Sequence, residues 1–221
     1  MILKNQNQGE FMSFSIIKHT NTDSEGNLYI IIDGDNYLIV DPCIPYEDIK
    51  EDVQGKTCVG VFLTHAHYDH FCAIDSWLKK GAKIYLAEQA INNLKDINTN
   101  GSYIFNKSLK VEIPNEQQNI VGEGSQIQVG KQTGTVVRTA GHTDCSIGLI
   151  INGHYFCGDF IFEGGNIGRY DLATGSGQDL RNSLRRLKTF DQDLTIHSGH
   201  GADFKLSDYK MTQRQKNCID L

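Results

Sequence analysis

Short apolar runs alternate with polar turns along most of the chain, which is typical of strands rather than of long helices. Residues 14–19, 28–33 and 37–40 are rich in β-branched and aromatic side chains, so each is a predicted strand. Gly34-Asp35-Asn36 provides a tight hairpin turn between the second and the third. Pro42 ends the third strand, because proline cannot donate to the hydrogen-bond ladder.

Strands and helices alternate in the next part of the chain, which predicts an α/β arrangement. Residues 58–63 form an unbroken apolar run, as in strands that are buried on both faces. The polar stretch 98–118 contains Pro114 and is expected to be a long loop, either a wall of an active site or a surface excursion. The other expected elements are helices at 46–53 and 69–80, a strand at 83–87 and a helix that ends at Leu94.

Strands return after residue 125 and are followed by a helical pattern. Leu180, Leu184 and Leu187 lie on one face of the helix predicted at 178–190. In each half of the chain, the predicted strands come first and a predicted helix follows them. This order predicts one α/β domain over residues 14–221 with a loose internal duplication. The polar residues 1–13 are expected to form a flexible arm, with Met12 as an alternative start. The remaining predicted elements are strands at 126–129, 133–139, 147–151, 154–157 and 194–197 and a helix at 207–217.

The composition excludes several classes of partner. The 221 residues are 39% apolar and 22% charged, and the formal net charge is −6. No run of Lys or Arg stands out, so we expect neither a nucleic acid nor a membrane as partner. No apolar stretch has the roughly 18–20 residues of a membrane span, and the N-terminus lacks the apolar segment of a signal peptide. The six cysteines form no C-x-x-C pair, which indicates reduced thiols and a cytoplasmic location.

Four potential metal ligands follow the apolar run 58–63 directly. The stretch Thr64-His65-Ala66-His67-Tyr68-Asp69-His70 has the pattern H-x-H-x-D-H, which packing alone does not explain. Three further sites place a ligand-type side chain beside glycine at the end of an apolar strand, namely Gly141-His142, Gly158-Asp159 and Gly199-His200. Because strand ends at one edge of an α/β sheet converge, we expect these four loops to meet.

Seven such ligands are too many for one tetrahedral zinc ion, and they suit two adjacent divalent ions. A structural zinc site is closed and rich in cysteine, whereas this set contains only His and Asp, which favours a catalytic site. Zinc is the favoured metal, with iron or manganese as alternatives. Two ions about 3.5–4 Å apart can share a hydroxide and polarise an electrophile.

These motifs resemble those of the metallo-β-lactamase superfamily. The matching residues, in order along the chain, are Leu38-Ile39-Val40-Asp41-Pro42, the 64–70 stretch, His142, Asp159 and His200. The resemblance implies an αββα sandwich with the metal site at one edge of the two sheets. It also implies that His65, His67 and His142 hold one ion, that Asp69, His70 and His200 hold the other, that Asp159 bridges them, and that Asp41 orients a ligand or the local backbone.

Within the superfamily, the chain is most similar to glyoxalase II-like hydrolases. Residues 158–162 and 165–172 resemble the G-D-x-L-F…G-x-I-G-R-x-D segment of that group. Full-length glyoxalase II proteins carry a further helical domain that helps to hold glutathione, whereas this sequence ends at Leu221, soon after His200. Tyr170 also replaces the small residue that usually precedes the aspartate. The resemblance is therefore to a glyoxalase II-like hydrolase without the helical domain.

The resemblance implies a binuclear metallohydrolase that uses metal-bound hydroxide to cleave a small thioester, such as an acyl-glutathione. Asp69 would also orient the nucleophile, which makes it a catalytic candidate. Two alternatives stay open. Persulfide dioxygenases of the same superfamily use one iron, held by residues that match His65, His142 and Asp159. Other members hydrolyse lactones, β-lactams or phosphodiesters.

Three further side chains are candidates for substrate contacts. Tyr68 lies inside the motif, and Tyr103 lies in the 98–118 loop. Arg169 could bind an anionic group of the substrate or pair with Asp171. The histidines and cysteines outside the motifs are expected at the surface or in packing; those weighed are His19, His154, His197, Cys72, Cys145 and Cys157.

Overall fold

The computed structural model describes residues 14–218, so the arm expected at 1–13 and the alternative start Met12 lie outside the described residues. The strands are β1 (Phe14–Thr20), β2 (Asn27–Asp33), β3 (Asn36–Val40), β4 (Thr57–Phe62), β5 (Ile84–Leu86), β6 (Gln118–Ile120), β7 (Gln126–Val129), β8 (Gln132–Arg138), β9 (Ile147–Ile151), β10 (His154–Gly158), β11 (Ile161–Phe162), β12 (Asn166–Ile167), β13 (Thr195–Ser198) and β14 (Phe204–Lys205). The α-helices are α1 (Tyr46–Ile49), α2 (Tyr68–Phe71), α3 (Ile74–Leu78), α4 (Glu88–Asn93), α5 (Gly177–Arg186) and α6 (Gln213–Cys218). None of these helices is long and apolar enough to cross a membrane.

The first sheet has the strand order β1-β2-β3-β4-β5-β6. β1, β2 and β3 pair antiparallel, and the β2–β3 hairpin closes at Asp33 opposite Asn36, as the Gly34-Asp35-Asn36 turn predicts. β4, β5 and β6 then join in parallel, because helices and loops return the chain to the same end of the sheet between them. The parallel part therefore presents the C-terminal end of β4 at one edge.

The second sheet has the strand order β14-β13-β10-β9-β8-β7. β7 to β10 form an antiparallel meander, and Asn152-Gly153 makes the tight turn between β9 and β10. After α5 the chain returns as β13, which pairs in parallel with β10. Because β10 and β13 are parallel neighbours, the residues that follow them lie side by side.

The two sheets pack face to face, with helices on their outer faces. The rings of Tyr29 on β2 and Phe156 on β10 meet edge-on across the interface, with centroids 5.3 Å apart. Trp77 of α3 packs into the same buried cluster from the outer side of the first sheet. Tyr155, the residue beside Phe156 on β10, points the other way and packs against Leu180 of α5. The layers run helix, sheet, sheet, helix, so the expected αββα sandwich is confirmed.

The prediction of one continuous helix at 69–80 is wrong, because the structure has two short helices there, α2 and α3. The backbone at Ala73 leaves the helical region, at φ −111° and ψ 14°. Its N–H donates to Pro42 O at 3.1 Å instead of continuing the helical ladder. A tertiary hydrogen bond to the loop after β3 therefore competes with the local helical preference and ends α2.

Other helix and strand boundaries also differ from the predicted ones, at positions where the apolar periodicity of the sequence is weak. The helix predicted at 46–53 ends at Ile49, and the one predicted at 178–190 becomes a 3₁₀ turn after Arg186. The terminal helix begins only at Gln213, after a 3₁₀ turn at residues 206–208. The short strands β6, β11, β12 and β14 were not predicted; each has two or three residues, too few for an alternating pattern to show.

Candidate metal centre

Four loops that follow strands meet at one edge of the sandwich. The loop after β4 carries the 64–70 motif, whereas the loops after β8, β10 and β13 carry His142, Asp159 and His200. The ligand-type side chains therefore come from both sheets. They form two groups, and within each group the ligand atoms lie within 4.8 Å of one another: His65, His67 and His142; and Asp69, His70, Asp159 and His200.

The first group is a buried triangle of imidazoles. His142 Nε2 lies 2.8 Å from His67 Nδ1 and 3.2 Å from His65 Nε2. All three residues are at most 6% exposed. Neutral imidazole nitrogens are common ligands of zinc, iron and manganese, so this group could hold one ion.

The second group combines two imidazoles with two carboxylates. Asp69 Oδ2 lies 3.0 Å from His200 Nε2 and 3.6 Å from His70 Nε2. His70 Nε2 in turn lies 3.3 Å from Asp159 Oδ1. This mixed nitrogen and oxygen set could hold a second divalent ion.

Asp159 lies between the two groups. Its Oδ2 is 3.6 Å from His142 Nε2 in the first group and 3.6 Å from His200 Nε2 in the second. Its Oδ1 faces His70. One carboxylate thus contacts both groups, which is the position that a bridging ligand needs. The division into two groups agrees with the one that the family resemblance implies.

Glycine at two strand ends permits this crowding. A Cβ atom at Gly199 would collide with Asp159 Oδ1 and with the ring of His70. A Cβ atom at Gly158 would meet the side chain of Thr64, and this residue also has φ +53°, a conformation that favours glycine. The Gly-Asp and Gly-His pairs of the sequence therefore reflect a steric requirement of the centre.

Hydrogen bonds on the far side of each ring orient the imidazoles. His142 Nδ1 lies 2.6 Å from Arg169 O, and His200 Nδ1 lies 2.8 Å from Glu25 O. Because a carbonyl only accepts, both Nδ1 atoms carry hydrogen and leave Nε2 free for a metal. In His65 it is likewise Nδ1 that has a partner outside the ligand groups, Thr64 Oγ1 at 3.1 Å.

Asp41 performs this role for His70 and also fixes the backbone of the motif. Its Oδ2 lies 2.8 Å from His70 Nδ1 and accepts from Thr64 Oγ1 at 2.7 Å. Its Oδ1 accepts from Thr64 N at 2.8 Å. The residue is 2% exposed and has φ +55°. This geometry supports the expectation that Asp41 orients a ligand and the local backbone.

Burial keeps the first group ready for a cation. It lowers the pKa of His67 to about 3 and the pKa of His65 well below its usual value, with the neighbouring imidazoles adding to the effect. Burial also lowers the pKa of His142. All three rings are therefore neutral at pH 7, so a metal ion displaces no proton from them.

The second group behaves in the opposite way. Burial by itself would lower the pKa of His70, but the carboxylates of Asp159, Asp69 and Asp41 outweigh burial and raise it well above its usual value. The pKa of His200 is also raised, because Asp69 and Asp159 outweigh its burial. Without a metal, the nearby carboxylates therefore make both imidazoles bind a proton more readily than a free imidazole does. A bound metal ion would compete with those protons.

Two buried polar atoms support a metal at this position. Neither His70 Nε2 nor Asp159 Oδ1 has a hydrogen-bond partner of good geometry, although both are shielded from solvent. Such atoms are rare in folded proteins, and a bound cation would give both of them a partner. The residues present therefore fit a divalent metal ion between the two groups.

A cavity of about 160 Å³ opens over the centre. His67, Asp69, His142 and Asp159 form its floor. Its walls are formed by residues of the 100–105 segment and of the loop after β12, namely Asn100, Gly101, Ile104, Phe105, Arg169 and Leu172. Part of the 98–118 loop thus lines the site, as one of the two interpretations of that loop expected.

The three expected substrate contacts lie in different environments. Arg169 lines the cavity and also pairs with Asp171, with Nε to Oδ1 at 2.8 Å and Nη2 to Oδ2 at 2.9 Å. Tyr68 does not line the cavity; its ring packs against Phe105 at a centroid distance of 5.0 Å. Tyr103 is 50% exposed beside the cavity walls. Substrate contact by any of the three stays a prediction.

Sequence reasoning missed Asn100 and Leu172. Asn100 is fully buried, and its backbone O accepts from Tyr68 N at 2.8 Å, which ties the loop to the metal motif. Nothing in the polar stretch 98–118 distinguishes a buried anchor from an ordinary loop residue. Leu172 follows the recognisable Gly-Arg-Tyr-Asp stretch, and nothing local distinguishes it from a core leucine.

The remaining residues outside the motifs lie in packing, as expected. Cys145 and Cys157 are 1% and 2% exposed, and burial raises the pKa of both thiols. Cys72 is partly buried, and its Sγ donates to Cys43 O at 3.3 Å. His197 is buried between aromatic rings, and His19 pairs with Asp52 at 2.8 Å.

Comparisons with known proteins match most of the chain to one family. The family model of the Metallo-beta-lactamase superfamily matches residues 21–200. The chain is 31% identical over 185 residues to the probable metallo-hydrolase YqgX of Bacillus subtilis, covering 81% of this chain and 86% of that protein. It is 26% identical over 215 residues to hydroxyacylglutathione hydrolase 1 of Vibrio vulnificus, covering 95% of this chain and 76% of that protein.

A solved structure shows the same fold. The BLEG-1 B3 metallo-beta-lactamase superposes with a TM-score of 0.79 at 24% identity, over 88% of this chain and 95% of that one. Together with the family match over residues 21–200, the shared architecture leads to one conclusion. The chain belongs to the metallo-beta-lactamase superfamily.

Proposed function

We propose that this protein is a hydrolase that uses two divalent metal ions to cleave a small thioester, such as an acyl-glutathione. The observation that carries the proposal is the position of Asp159, whose carboxylate contacts both ligand groups. A mononuclear site would not need a second set of His and Asp ligands beside the first. Zinc suits the His and Asp ligands best, and iron or manganese are the alternatives.

The chain's own residues bind and orient the reactants. Two bound divalent ions supply hydroxide from water near neutral pH and offset the charge that develops on the carbonyl oxygen. Asp69 lines the cavity floor, and His70 and His200 hold its pKa below the usual value against the effect of burial. It is therefore a carboxylate at pH 7 and accepts a hydrogen bond from the attacking water, which orients that water towards the substrate.

The cavity walls favour a small acyl group. Ile104, Phe105 and Leu172 present apolar surface on the side away from the metals. The positive charge of Arg169 is balanced by its two hydrogen bonds to Asp171. An acyl chain of a few carbons fits a volume of about 160 Å³, and the thiol part of the substrate extends towards solvent past Tyr103.

Two further features are consistent with the proposal. Hydroxyacylglutathione hydrolase 1 of Vibrio vulnificus, one of the relatives, is named for a thioester of this class. Burial raises the pKa of the thiols of Cys43, Cys145 and Cys157, so these cysteines suit a reducing compartment as unreactive packing groups. We therefore also propose a cytoplasmic location.

Elemental analysis combined with a hydrolysis assay tests the proposal. The purified protein is expected to contain two ions per chain and to hydrolyse acyl-glutathione thioesters. Asp69→Asn should weaken binding of the second ion, because Asp69 belongs to the second ligand group, and at saturating metal it should still lose about 10²–10⁴-fold in kcat, the usual contribution of a group that handles the proton of a nucleophile. The matched control is Asp208→Asn, a change at an exposed carboxylate outside the cavity.

Two other results would replace the proposed function. One iron per chain together with oxygen uptake in the presence of a persulfide would identify a dioxygenase-type reaction at His65, His142 and Asp159. Two ions with turnover of a lactone, a β-lactam or a phosphodiester, but not of thioesters, would retain the metal centre and change the substrate class.

A further inference from the structure

His200 is the metal-ligand candidate with the least local support. Its side chain is 29% exposed, compared with 14% for Asp69, 12% for Asp159 and 0% for His70. It lies between Gly199 and Gly201, and Gly201 has φ +73°. A loop with glycine on both sides of the ligand has high conformational freedom, so contacts from elsewhere must fix its position.

Those contacts come from the opposite sheet. Lys18 Nζ on β1 donates to Gly201 O at 2.5 Å, and the Tyr29 hydroxyl on β2 donates to Ser198 O at 2.7 Å. Asn27 adds its backbone N–H to Gly199 O at 2.7 Å. The β1–β2 hairpin thus donates hydrogen bonds to three backbone carbonyls of this loop, those of Ser198, Gly199 and Gly201.

Asp203 follows the loop in sequence, and its carboxylate contacts two of these donors. Its Oδ1 lies 3.1 Å from Lys18 Nζ and 3.1 Å from the Tyr29 hydroxyl. Its Oδ2 lies 3.0 Å from His197 Nδ1, on the strand that precedes the loop. The same carboxylate therefore holds the ammonium group and the phenol where they meet the loop carbonyls.

The support behind Asp203 is rigid. The ring of His197 is 5% exposed and stacks on Phe156, with centroids 4.6 Å apart and planes at 15°. Tyr29 packs edge-on against the same ring at 5.2 Å. His197 Nε2 lies 2.9 Å from His154 Nδ1, so both ring nitrogens have a neighbour. The ring that faces Asp203 is therefore held by aromatic neighbours, although the Asp203 side chain itself is 33% exposed.

We propose that Lys18, Tyr29 and Asp203 act as a latch that positions His200 and thereby sets the affinity for the ion at the second ligand group. The proposal rests on the two-ion centre proposed above. The three residues are positioning residues. Lys18 and Tyr29 contact the backbone of the loop that carries His200, Asp203 contacts Lys18 and Tyr29, and none of their described contacts is with a ligand candidate. The described contacts of the latch also do not include His65, His67 or His142, so the first ion should be unaffected.

Stepwise zinc titration against a chromophoric chelator tests the latch on the intact chain. Wild-type protein is expected to bind two ions in two resolved steps. Asp203→Asn and Lys18→Met should weaken the second step by about 10- to 100-fold, as loss of a group that orients a ligand usually does. The first step should keep its wild-type dissociation constant. The double variant should lose little more than either single one, because both changes open the same latch.

Matched controls separate positioning from general destabilisation. Lys205→Met removes an ammonium group that bonds Thr195 Oγ1 and Asp193 O on the same strand region but does not contact the 198–201 loop. Tyr29→Phe removes the hydroxyl that donates to Ser198 O and should weaken the second step like the other latch variants. Its match is Tyr209→Phe, which removes a hydroxyl that bonds Asn166 O. Both controls should bind two ions like the wild type. The thermal midpoint of each metal-free variant gives a second reading, and it should stay within a few degrees of the wild-type value.

The outcomes distinguish the latch from the metal centre. If the wild type binds two ions and the latch variants bind both equally well, the latch is wrong and the two-ion centre stands. Equal weakening of both steps, with a lower metal-free midpoint, would also overturn the latch in favour of general destabilisation. A wild type that binds one ion would overturn the two-ion centre and the latch together. Two ions bound without thioester hydrolysis, with the second step weakened in the variants, would support the latch and change only the proposed substrate.

Discussion

At the scale of single residues, Asp159 decides whether this site is one centre or two separate ones. Its two oxygens face His70, His142 and His200, which belong to both ligand groups. Oδ1 is one of the two buried atoms of the centre without a hydrogen-bond partner. The negative charge of Asp159 therefore acts on both ligand groups, and removal of this carboxylate should affect both.

Replacing Asp159 by alanine should remove metal and activity together. The change deletes the proposed bridge and leaves His70, a cationic imidazole in the metal-free protein, with one carboxylate fewer nearby. Elemental analysis should find fewer than two ions per chain, and hydrolysis should fall by at least about 10²-fold. The control is Cys72→Ser, whose thiol bonds Cys43 O and should leave metal content unchanged. Two ions and a full rate in Asp159→Ala would show that the bridging assignment is wrong.

The opposite pKa shifts in the two groups predict an ordered loss of metal in acid. His65, His67 and His142 have lowered pKa values, so their proton competition is weak down to mildly acidic pH. The pKa values of His70 and His200 are raised, so a metal ion must displace protons from them. As pH falls, we therefore expect the apparent affinity for the second ion to fall before the affinity for the first, because protons compete for His70 and His200.

The measurement is a zinc titration in a weakly buffered solution at several pH values, with proton release recorded. The first ion should release few protons, and the second should release one or two. Equal proton release in the two steps, or loss of both ions at the same pH, would contradict the assignment of charge to the two groups.

At the scale of elements, the centre is built where strand ends and short loops meet. Asn100 anchors the loop after α4 through its side-chain amide, which donates to Leu109 O at 2.8 Å and to Leu94 O at 3.2 Å. Its Oδ1 accepts from Ser102 N at 2.9 Å. This anchor holds the segment that places Ile104 and Phe105 beside the candidate metal ligands, so the shape of the cavity depends on a buried amide rather than on regular secondary structure.

Replacing Asn100 by alanine should loosen the cavity wall without removing the metals. The change leaves buried carbonyls and an N–H without partners, which costs about 1–3 kcal/mol of unfolding free energy. We expect a lower midpoint in urea, a raised KM for acyl-thioesters and two ions still bound. Asn98→Ala is the matched control, because Asn98 is exposed and its hydrogen bonds within residues 14–218 are to Asp96. An unchanged KM would mean that this loop does not shape the substrate site.

At the scale of the whole molecule, the metal centre joins the two sheets. His65, His67, Asp69 and His70 follow β4 of the first sheet, whereas His142, Asp159 and His200 follow strands of the second. Bound ions would therefore connect layers that otherwise meet mainly through apolar packing. The latch between the β1–β2 hairpin and the His200 loop spans the same two sheets.

Removing the metals should lower the thermal stability of the whole domain. An ion that binds only the folded chain at about 1,000 times its dissociation constant adds about 4 kcal/mol to the free energy of unfolding. For a domain of roughly this size, each kcal/mol corresponds to about 2–4 °C, so chelation should lower the midpoint by roughly 8–16 °C. Calorimetry with and without a chelator measures the shift, and adding back zinc should reverse it. An unchanged midpoint after verified metal removal would contradict a role for the ions in holding the sheets together.

The sequence by itself determined the chemistry of the centre and the class of the fold. The H-x-H-x-D-H stretch and the Gly-His and Gly-Asp pairs are visible locally, because a metal site needs particular donor atoms and a crowded backbone needs glycine. Alternating and continuous apolar runs likewise identify most of the strands, because burial on one or both faces leaves a periodic trace. The seven ligand candidates and an α/β fold could be predicted in this way, whereas the αββα arrangement and the orienting role of Asp41 were expected only from the family resemblance; the structure brings the ligand candidates together.

Only the tertiary structure decided how those residues are held and what surrounds them. The break between α2 and α3 comes from a hydrogen bond to Pro42, and the latch on His200 comes from Lys18, 182 residues earlier in the chain. The walls of the cavity depend on Asn100 and Leu172, which carry no local signal of their position. Such contacts join residues that are distant in sequence, so no periodicity or motif records them. The donor atoms are a property of the sequence, whereas their orientation and the shape of the cavity are properties of the fold.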